Sequence, residues 1–197
     1  MPEQKNKVKF GLSKTYYAPM TAMADDGTAT YGTPKALPGA VSLAISPEGD
    51  LQPFYADNIT YWQDGGNSGY SGNWEVAKAT EDFLVDILGY VKDNNGVLIE
   101  NANAEVKPFA LLFQMEGDIH GRRHVLYNCS ATRPELSAST ITDTKEPITD
   151  SIPISCKSVH IAAIGIDTPK ASVEQGDAAY ATWYDAVYQT PTQQSNP

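Results

Sequence analysis

Cysteine is scarce in this chain of 197 residues: Cys129 and Cys156 are its only two. So few do not make a disulfide framework, and both are expected to stay reduced in a reducing compartment. Long apolar runs are absent as well. Nothing approaches the roughly 18–20 residues of a membrane-spanning helix, so no membrane insertion is expected. Lys5, Lys7 and Lys9 near the start are followed by no apolar core, so a secretory signal is not expected there. Positive charge is also in short supply. Lys and Arg total 14 against 24 Asp and Glu, a net charge of −10. That field repels phosphate and makes a generic nucleic-acid or anionic-membrane binder a poor reading. No segment repeats at a fixed period, which argues against a solenoid or propeller. The length suits one domain spanning residues 1–197 with a sizeable core.

The charge that is present is unevenly placed. Residues 1–10 hold three Lys and one Glu. Residues 11–120 hold 15 acidic and 5 basic residues, and residues 121–197 hold 8 and 6. The bland account is a solvated surface, and the sharper one is a surface that must not hold phosphate.

Strand signals dominate. Val41, Leu43 and Ile45 alternate with small or polar residues, as in a half-buried strand. Residues 51–55, 59–63 and 73–78 continue an antiparallel meander, interrupted by an expected Gly-rich loop at 64–72. Thr80, Glu81, Asp82 and Gly89 bracket a short helix near 80–88, whose Phe83, Leu84, Ile87 and Leu88 share one face. Residues 109–115 and 122–129 form a hairpin about a bend at 116–121. Residues 152–164 are expected as one long strand, with Pro153 marking an edge or a strand start. Residues 177–188 could form a second short helix that buries Tyr180, Trp183, Tyr184 and Val187. Residues 19–38 and 130–150 are expected as long loops, and 190–197 as a frayed tail. Residues 1–10, 19–38 and 130–150 are expected to order mainly on assembly, because their apolar content is low.

Chemistry is hard to find. His120 and His124 have the spacing of a metal pair, but on a strand positions i and i+4 lie about 13 Å apart. Exposed turn histidines are the stronger reading. Ser68 and Ser71 lie among glycines without completing a nucleophile elbow, and no phosphate cradle occurs. Cys129 has no positioned base. Asp25-Asp26 falls in a loop, and Glu81-Asp82 at a helix start. The aromatics Tyr55, Tyr61, Trp62, Tyr70 and Trp74 crowd the Gly-rich stretch. They fit a core or interface better than a sugar-stacking platform. No catalytic, cofactor-binding or metal residue is assigned, and no cofactor is expected.

The order of short motifs is more informative than any one of them. Tyr55-Ala56-Asp57-Asn58-Ile59-Thr60-Tyr61 precedes Gly72-Asn73-Trp74-Glu75-Val76-Ala77. Asp82-Phe83-Leu84-Val85-Asp86-Ile87-Leu88-Gly89-Tyr90 and Asn94-Asn95-Gly96-Val97 follow. Then come Pro108-Phe109-Ala110, Leu126-Tyr127-Asn128-Cys129, Thr132-Arg133-Pro134 and Thr144-Lys145-Glu146-Pro147. This succession, from about residue 7 to about residue 187, resembles the major tail proteins of long-tailed, non-contractile bacteriophages and related prophages of Gram-positive bacteria.

The resemblance implies a mainly β fold: an antiparallel β-sandwich or half-barrel of the tail-tube type with a flanking helix. It implies hexameric rings that stack into the conduit for the genome, made and assembled in the host bacterial cytoplasm and ending in the virion tail. It implies partners: the chain itself, a tape-measure protein during assembly, tail-terminator and distal tail proteins at the tube ends, and viral DNA in transit without specific binding. It implies no enzyme. On that reading the surplus acids cannot all be buried, and an acidic channel wall is expected. The alternatives are a virion-associated carbohydrate- or receptor-binding β-sandwich module, and a hydrolase with a hidden site.

Overall fold

A computed structural model describes residues 11–49, 52–56, 59–64, 66–140 and 147–190, with backbone alone between 52 and 64. The first ten residues, the expected frayed tail after 190 and residues 141–146 of the loop expected at 130–150 lie outside the described residues. So do the side chains of Tyr55, Tyr61 and Trp62. Ser130 and Ala131 of that expected loop belong to the strand Arg123–Ala131, and Asp150 to the strand Asp150–Lys157.

The chain begins with β1 (Leu12–Met23), β2 (Ala29–Tyr31), β3 (Lys35–Ala36) and β4 (Ala40–Glu48). β5 (Gln52–Ala56), β6 (Ile59–Asp64) and β7 (Gly69–Val76) follow, and then the helix α1 (Glu81–Asp86). Next come β8 (Val91–Lys92), β9 (Leu98–Ile99), β10 (Phe109–Met115) and β11 (Arg123–Ala131). The last strands are β12 (Asp150–Lys157), β13 (Val159–Ile161), β14 (Ile166–Thr168) and β15 (Lys170–Val173). Antiparallel ladders run β2–β1–β10–β11–β12–β7–β4, with β3 also on β1 and β15 also on β11. The fold is therefore mainly β, with one large nine-stranded sheet.

The sheet forks at β11. Its first half, Arg123 to Leu126, pairs with β15, and its second half, Asn128 to Ala131, pairs with β12. The branch through β12, β7 and β4 bends back until β4 touches β1; between β3 and β4 the Leu37 N–H donates to the Thr15 carbonyl at 2.9 Å. This is the half-barrel form of the expected fold. The curl encloses Tyr17, Trp74, Phe83, Phe109, Leu111, Leu126, Ile152 and Ile154.

Helix α1 closes this core. Thr80 caps it by accepting from the Phe83 N–H at 3.4 Å, and Glu81 and Asp82 fill its first turn. Gly89 takes φ +72 just beyond, where a side chain would be strained and would meet Ala104. The Phe83 ring stands edge-on to Tyr17, Trp74 and Phe109, with centroids 5.1, 5.8 and 5.6 Å away. The Tyr17 hydroxyl donates to Asp86 at 2.9 Å, tying the helix to β1.

Several sequence expectations need correction. Residues 19–38 are not a long loop: Met20, Ala22 and Met23 pair with Tyr31, Thr30 and Ala29, so β1 and β2 form a hairpin. Ala29 is buried, and the Gly27 carbonyl accepts from the His160 N–H at 2.9 Å. The hairpin thus finds its partners within its own chain. The expected loop at 64–72 is shorter, because Gly69 to Gly72 are strand. They lie between β12 and β4, and a Cβ on Gly72 would come within 2.0 Å of the Ala44 carbonyl oxygen. These glycines serve close strand approach rather than a turn. Val41 is exposed because a bulge between Ala40 and Ser42 turns it outward.

The expected strand at 152–164 breaks into β12 and β13, and β12 is interior. Pro153 is tolerated there because its carbonyl accepts from Thr132, one residue past the end of β11, so its missing N–H faces the end of a ladder. Residues 177–188 form consecutive turns, not a second helix. Finally, Cys129 and Cys156 are joined in a disulfide, which overturns the expectation of two free thiols. The β11–β12 register sets them face to face on the inner side, with Cα atoms 3.9 Å apart.

Truncating Phe83 to Ala removes the shared edge of three aromatic contacts. We expect it to destabilise the fold by about 3–5 kcal/mol in denaturant unfolding. A loss below about 1 kcal/mol would contradict this packing. A second expectation concerns pH. Burial, the largest cause in each case, raises the phenols of Tyr17, Tyr31, Tyr127 and Tyr184 well above their ordinary 10.0. The folded chain then holds protons that the unfolded chain releases near 10, so stability is lost as pH climbs above that value. In an alkaline titration, tyrosinate absorbance from these four should appear together with loss of the β circular-dichroism signal. Titration of all 11 tyrosines near pH 10 with that signal intact would contradict it.

Candidate assembly and channel surface

The central strands β10 and β11 are apolar on both faces. Phe109, Leu111 and Leu126 point into the curl, while Ala110, Leu112, Val125 and Tyr127 point outward. The outward set demands a cover, which the C-terminal segment supplies. Trp183 is buried there, and its indole N–H donates to the His124 carbonyl at 3.4 Å. Tyr184 stacks on Tyr16 at 4.6 Å, and the Tyr127 hydroxyl donates to the Tyr188 carbonyl at 3.0 Å. Arg123 anchors this strap. Its guanidinium lies over the Tyr180 ring at 3.7 Å, hydrogen-bonds the Tyr180 carbonyl, and faces Tyr184 at 4.8 Å. The strap thus fastens through rings and one guanidinium, which is why turns suffice and no helix is needed.

The strap covers only the β1–β10–β11 side. The outer face of β4, β7, β12 and the second half of β11 carries no such apolar demand. Its side chains fall in rows across the strands. One row is Ser46, Ser71, Ser155 and Ser130. Beside it run Ala44, Asn73 and Pro153, and then Ser42, Glu75 and Ser151. On the other side lie Glu48, Gly69, Lys157 and Asn128. Each row of four spans about 14 Å, given the strand spacing. Ala44, Ser46, Asn73, Pro153, Lys157 and Ser130 are exposed, and Ser42, Ser71, Glu75, Ser151 and Ser155 half-buried. The Ser42 hydroxyl donates to Glu75 at 2.9 Å. The result is a broad, short-chained face whose charged members are Glu48, Glu75 and Lys157.

Of these serines the sequence draws attention to Ser71 alone, and there as part of a Gly-rich loop. Their signal was present in the small polar residues between Val41, Leu43 and Ile45, and again between Ile152, Ile154 and Cys156. In β7 its glycines mask the same alternation.

The residues weighed for chemistry are scattered. His120 lies beside the bend, 3.4 Å from Glu174, which also pairs with Arg122. His124 is no exposed turn histidine: it is buried in β11 with its ring stacked on Phe113 at 5.1 Å. Its β11 position points it inward, opposite Phe113. No group of three or more metal-capable side chains occurs among the described residues. Ser71 stands in the serine row, and Ser68 donates to the Glu48 carbonyl at 2.9 Å. Asp26 caps the β1–β2 turn through the Thr28 N–H, which holds its carboxyl below the ordinary range. Trp74 is in the core, and Tyr70 packs against it.

No helix among the described residues is long and apolar enough to cross a membrane. A search of curated proteins finds no match to the chain. A family model described as phage tail tube protein matches residues 3–190, nearly the whole sequence. That family is structural and self-assembling, and its place is the virion tail. The chain belongs to the phage tail tube protein family.

Proposed function

We propose that this chain, a single domain, is the tube subunit of a long-tailed, non-contractile phage of Gram-positive bacteria, assembling in the host cytoplasm. It forms hexameric rings, and the rings stack around a tape-measure protein into the conduit for genome delivery. Terminator and distal tail proteins close the two ends. The observation that carries this reading is the outer face of β4, β7, β12 and β11, which no apolar segment covers among the described residues.

That face suits a channel wall. Double-stranded DNA binds proteins chiefly where Lys and Arg release its counterions. Single strands add base stacking on aromatic rings. Here the rows hold neither aromatic rings nor paired cations, and short hydroxyls keep their hydration. Glu48 and Glu75 outweigh Lys157, so the wall is weakly acidic rather than densely so. The repulsion is screened over about 8 Å at physiological salt, so it acts near the wall and leaves the centre of the bore open. The carbohydrate-binding alternative loses support, because Trp74 faces the core and cannot serve as a stacking platform.

Electron microscopy of the purified full chain at high concentration tests the reading. Hollow tubes with a regular ring repeat are expected, and persistent monomers would overturn it. Replacing Ser71 and Ser155 by Arg in the phage tests the wall. Tubes should still assemble, while genome delivery slows and becomes salt-sensitive. Unchanged delivery from normal tubes would remove this face from the channel.

A further inference from the structure

The hairpin of β8 and β9 has two unlike sides. Val91 sits directly opposite Ile99, and Val97 follows two positions before Ile99 on the same side. These three aliphatic side chains are 53%, 49% and 54% exposed, so this side has no cover within the described residues. The other side faces the body: Lys92 pairs with Glu81 at 2.6 Å, and Tyr90 packs against the core. The surroundings are acidic. Residues 81–105 hold six carboxylates and one Lys. Asp93 shapes the turn by accepting from the Asn95 and Val97 N–H groups, which lowers its carboxyl below the ordinary range.

A complementary segment exists in the same chain. Residues 5–10 read Lys-Asn-Lys-Val-Lys-Phe, so an extended backbone puts Val8 and Phe10 on one side and three lysines on the other. The placement of the two features is polar. The N-terminal segment leaves beside Met115, where the Gly11 carbonyl accepts from the Glu116 N–H at 2.8 Å. The hairpin is tied to the opposite end of the β1–β10 ladder. There Arg133, two residues past β11, pairs with Glu100 at 2.7 Å and donates to the Asn101 carbonyl at 2.8 Å. Beside it the Met20 N–H donates to the Pro108 carbonyl at 2.8 Å. The two ends lie about 20 Å apart along the strands. Val8 is three residues from Gly11 and reaches about 10 Å, so it cannot lie on its own hairpin.

We propose that Val8 and Phe10 of one copy dock on Val91, Val97 and Ile99 of the next copy, with Lys5, Lys7 and Lys9 facing its acidic rim. A contact between unlike ends is heterologous: it makes a ring where its rotation closes and propagates along an axis where it does not, and a joint between opposite ends of one ladder is of the second kind. The proposal rests on the tube reading and names one of the joints that reading needs.

The test uses the full chain and the critical concentration for tube formation, read by sedimentation and microscopy. A Val8→Ser, Phe10→Ser variant and a separate Ile99→Lys variant should keep the wild-type unfolding temperature. Each should raise the critical concentration by about tenfold or more, given the apolar burial lost. Higher salt should raise it for the wild type too. Wild-type tubes with unchanged assembly in both variants would overturn this docking and leave the tube reading standing. Absence of wild-type tubes would overturn the tube reading and this joint with it. Carbodiimide coupling in tubes grown from mixed isotope-labelled and unlabelled protein gives a second readout that does not depend on the variants. Amide links from Lys5, Lys7 or Lys9 to Asp93 or Glu100 should join different copies. Links found only within one copy would overturn the proposal.

Discussion

Everything in this fold follows from β10 and β11 being apolar on both faces. A strand pair with one wet face needs one cover, but this pair needs two. On the inner side the sheet itself bends round and α1 fills the mouth, with Phe83 against Tyr17, Trp74 and Phe109. On the outer side the strap of residues 175–190 is laid down, held by Trp183, Tyr184 and the guanidinium of Arg123. The fork at β11 decides where the second cover stops. Its first half runs with β15 under the strap, and its second half runs with β12 into the open face.

The open face and the covered face are therefore two parts of one sheet, and their chemistry differs as their surroundings do. Under the strap the outward positions are Ala110, Leu112, Val125 and Tyr127. Past the fork they become Ser130, Ser155, Ser71 and Ser46. A subunit built this way has an apolar, fastened flank and a hydrated flank with no strong attraction for phosphate. Such a division suits the proposed conduit, whose walls would hold together while its bore let a polyanion slide. Four of the acids are engaged away from the hydrated flank: Asp86 serves Lys35 and Tyr17, Glu81 serves Lys92, Glu100 serves Arg133, and Glu174 serves Arg122. The overall charge of the chain is thus a poor guide to the charge of this one face.

What the sequence reveals is what depends on neighbours in the chain. The helix near 80–88 is legible because cap, acidic first turn and terminal glycine are local signals. The β10–β11 hairpin is legible because its apolar runs flank an obvious bend. The order of motifs points to phage tail proteins, and the match over residues 3–190 shows the phage tail tube family. What escapes is what depends on distant strands. Gly69 and Gly72 resemble a loop until β12 and β4 press against them from either side. Pro153 resembles an edge residue until Thr132 is seen to end the ladder beside it. Residues 19–38 show no stable apolar period of their own, yet Ala29 and Tyr31 join a core formed by strands far along the chain. The strap has helix-like spacing, but ring stacking and Arg123 hold it as turns. Cys129 and Cys156 gave no spacing signal, because only the β11–β12 register makes them face. The serine rows are cross-strand objects and do not exist in one dimension.

A density map of the assembled tube tests the central claim most directly, by locating Ser46, Ser71, Ser155 and Ser130 relative to the tube axis. The account predicts that their row faces the bore, with Trp183 and the strap away from it. Serines packed between subunits or turned to the outside, with the strap side facing the bore, would contradict it.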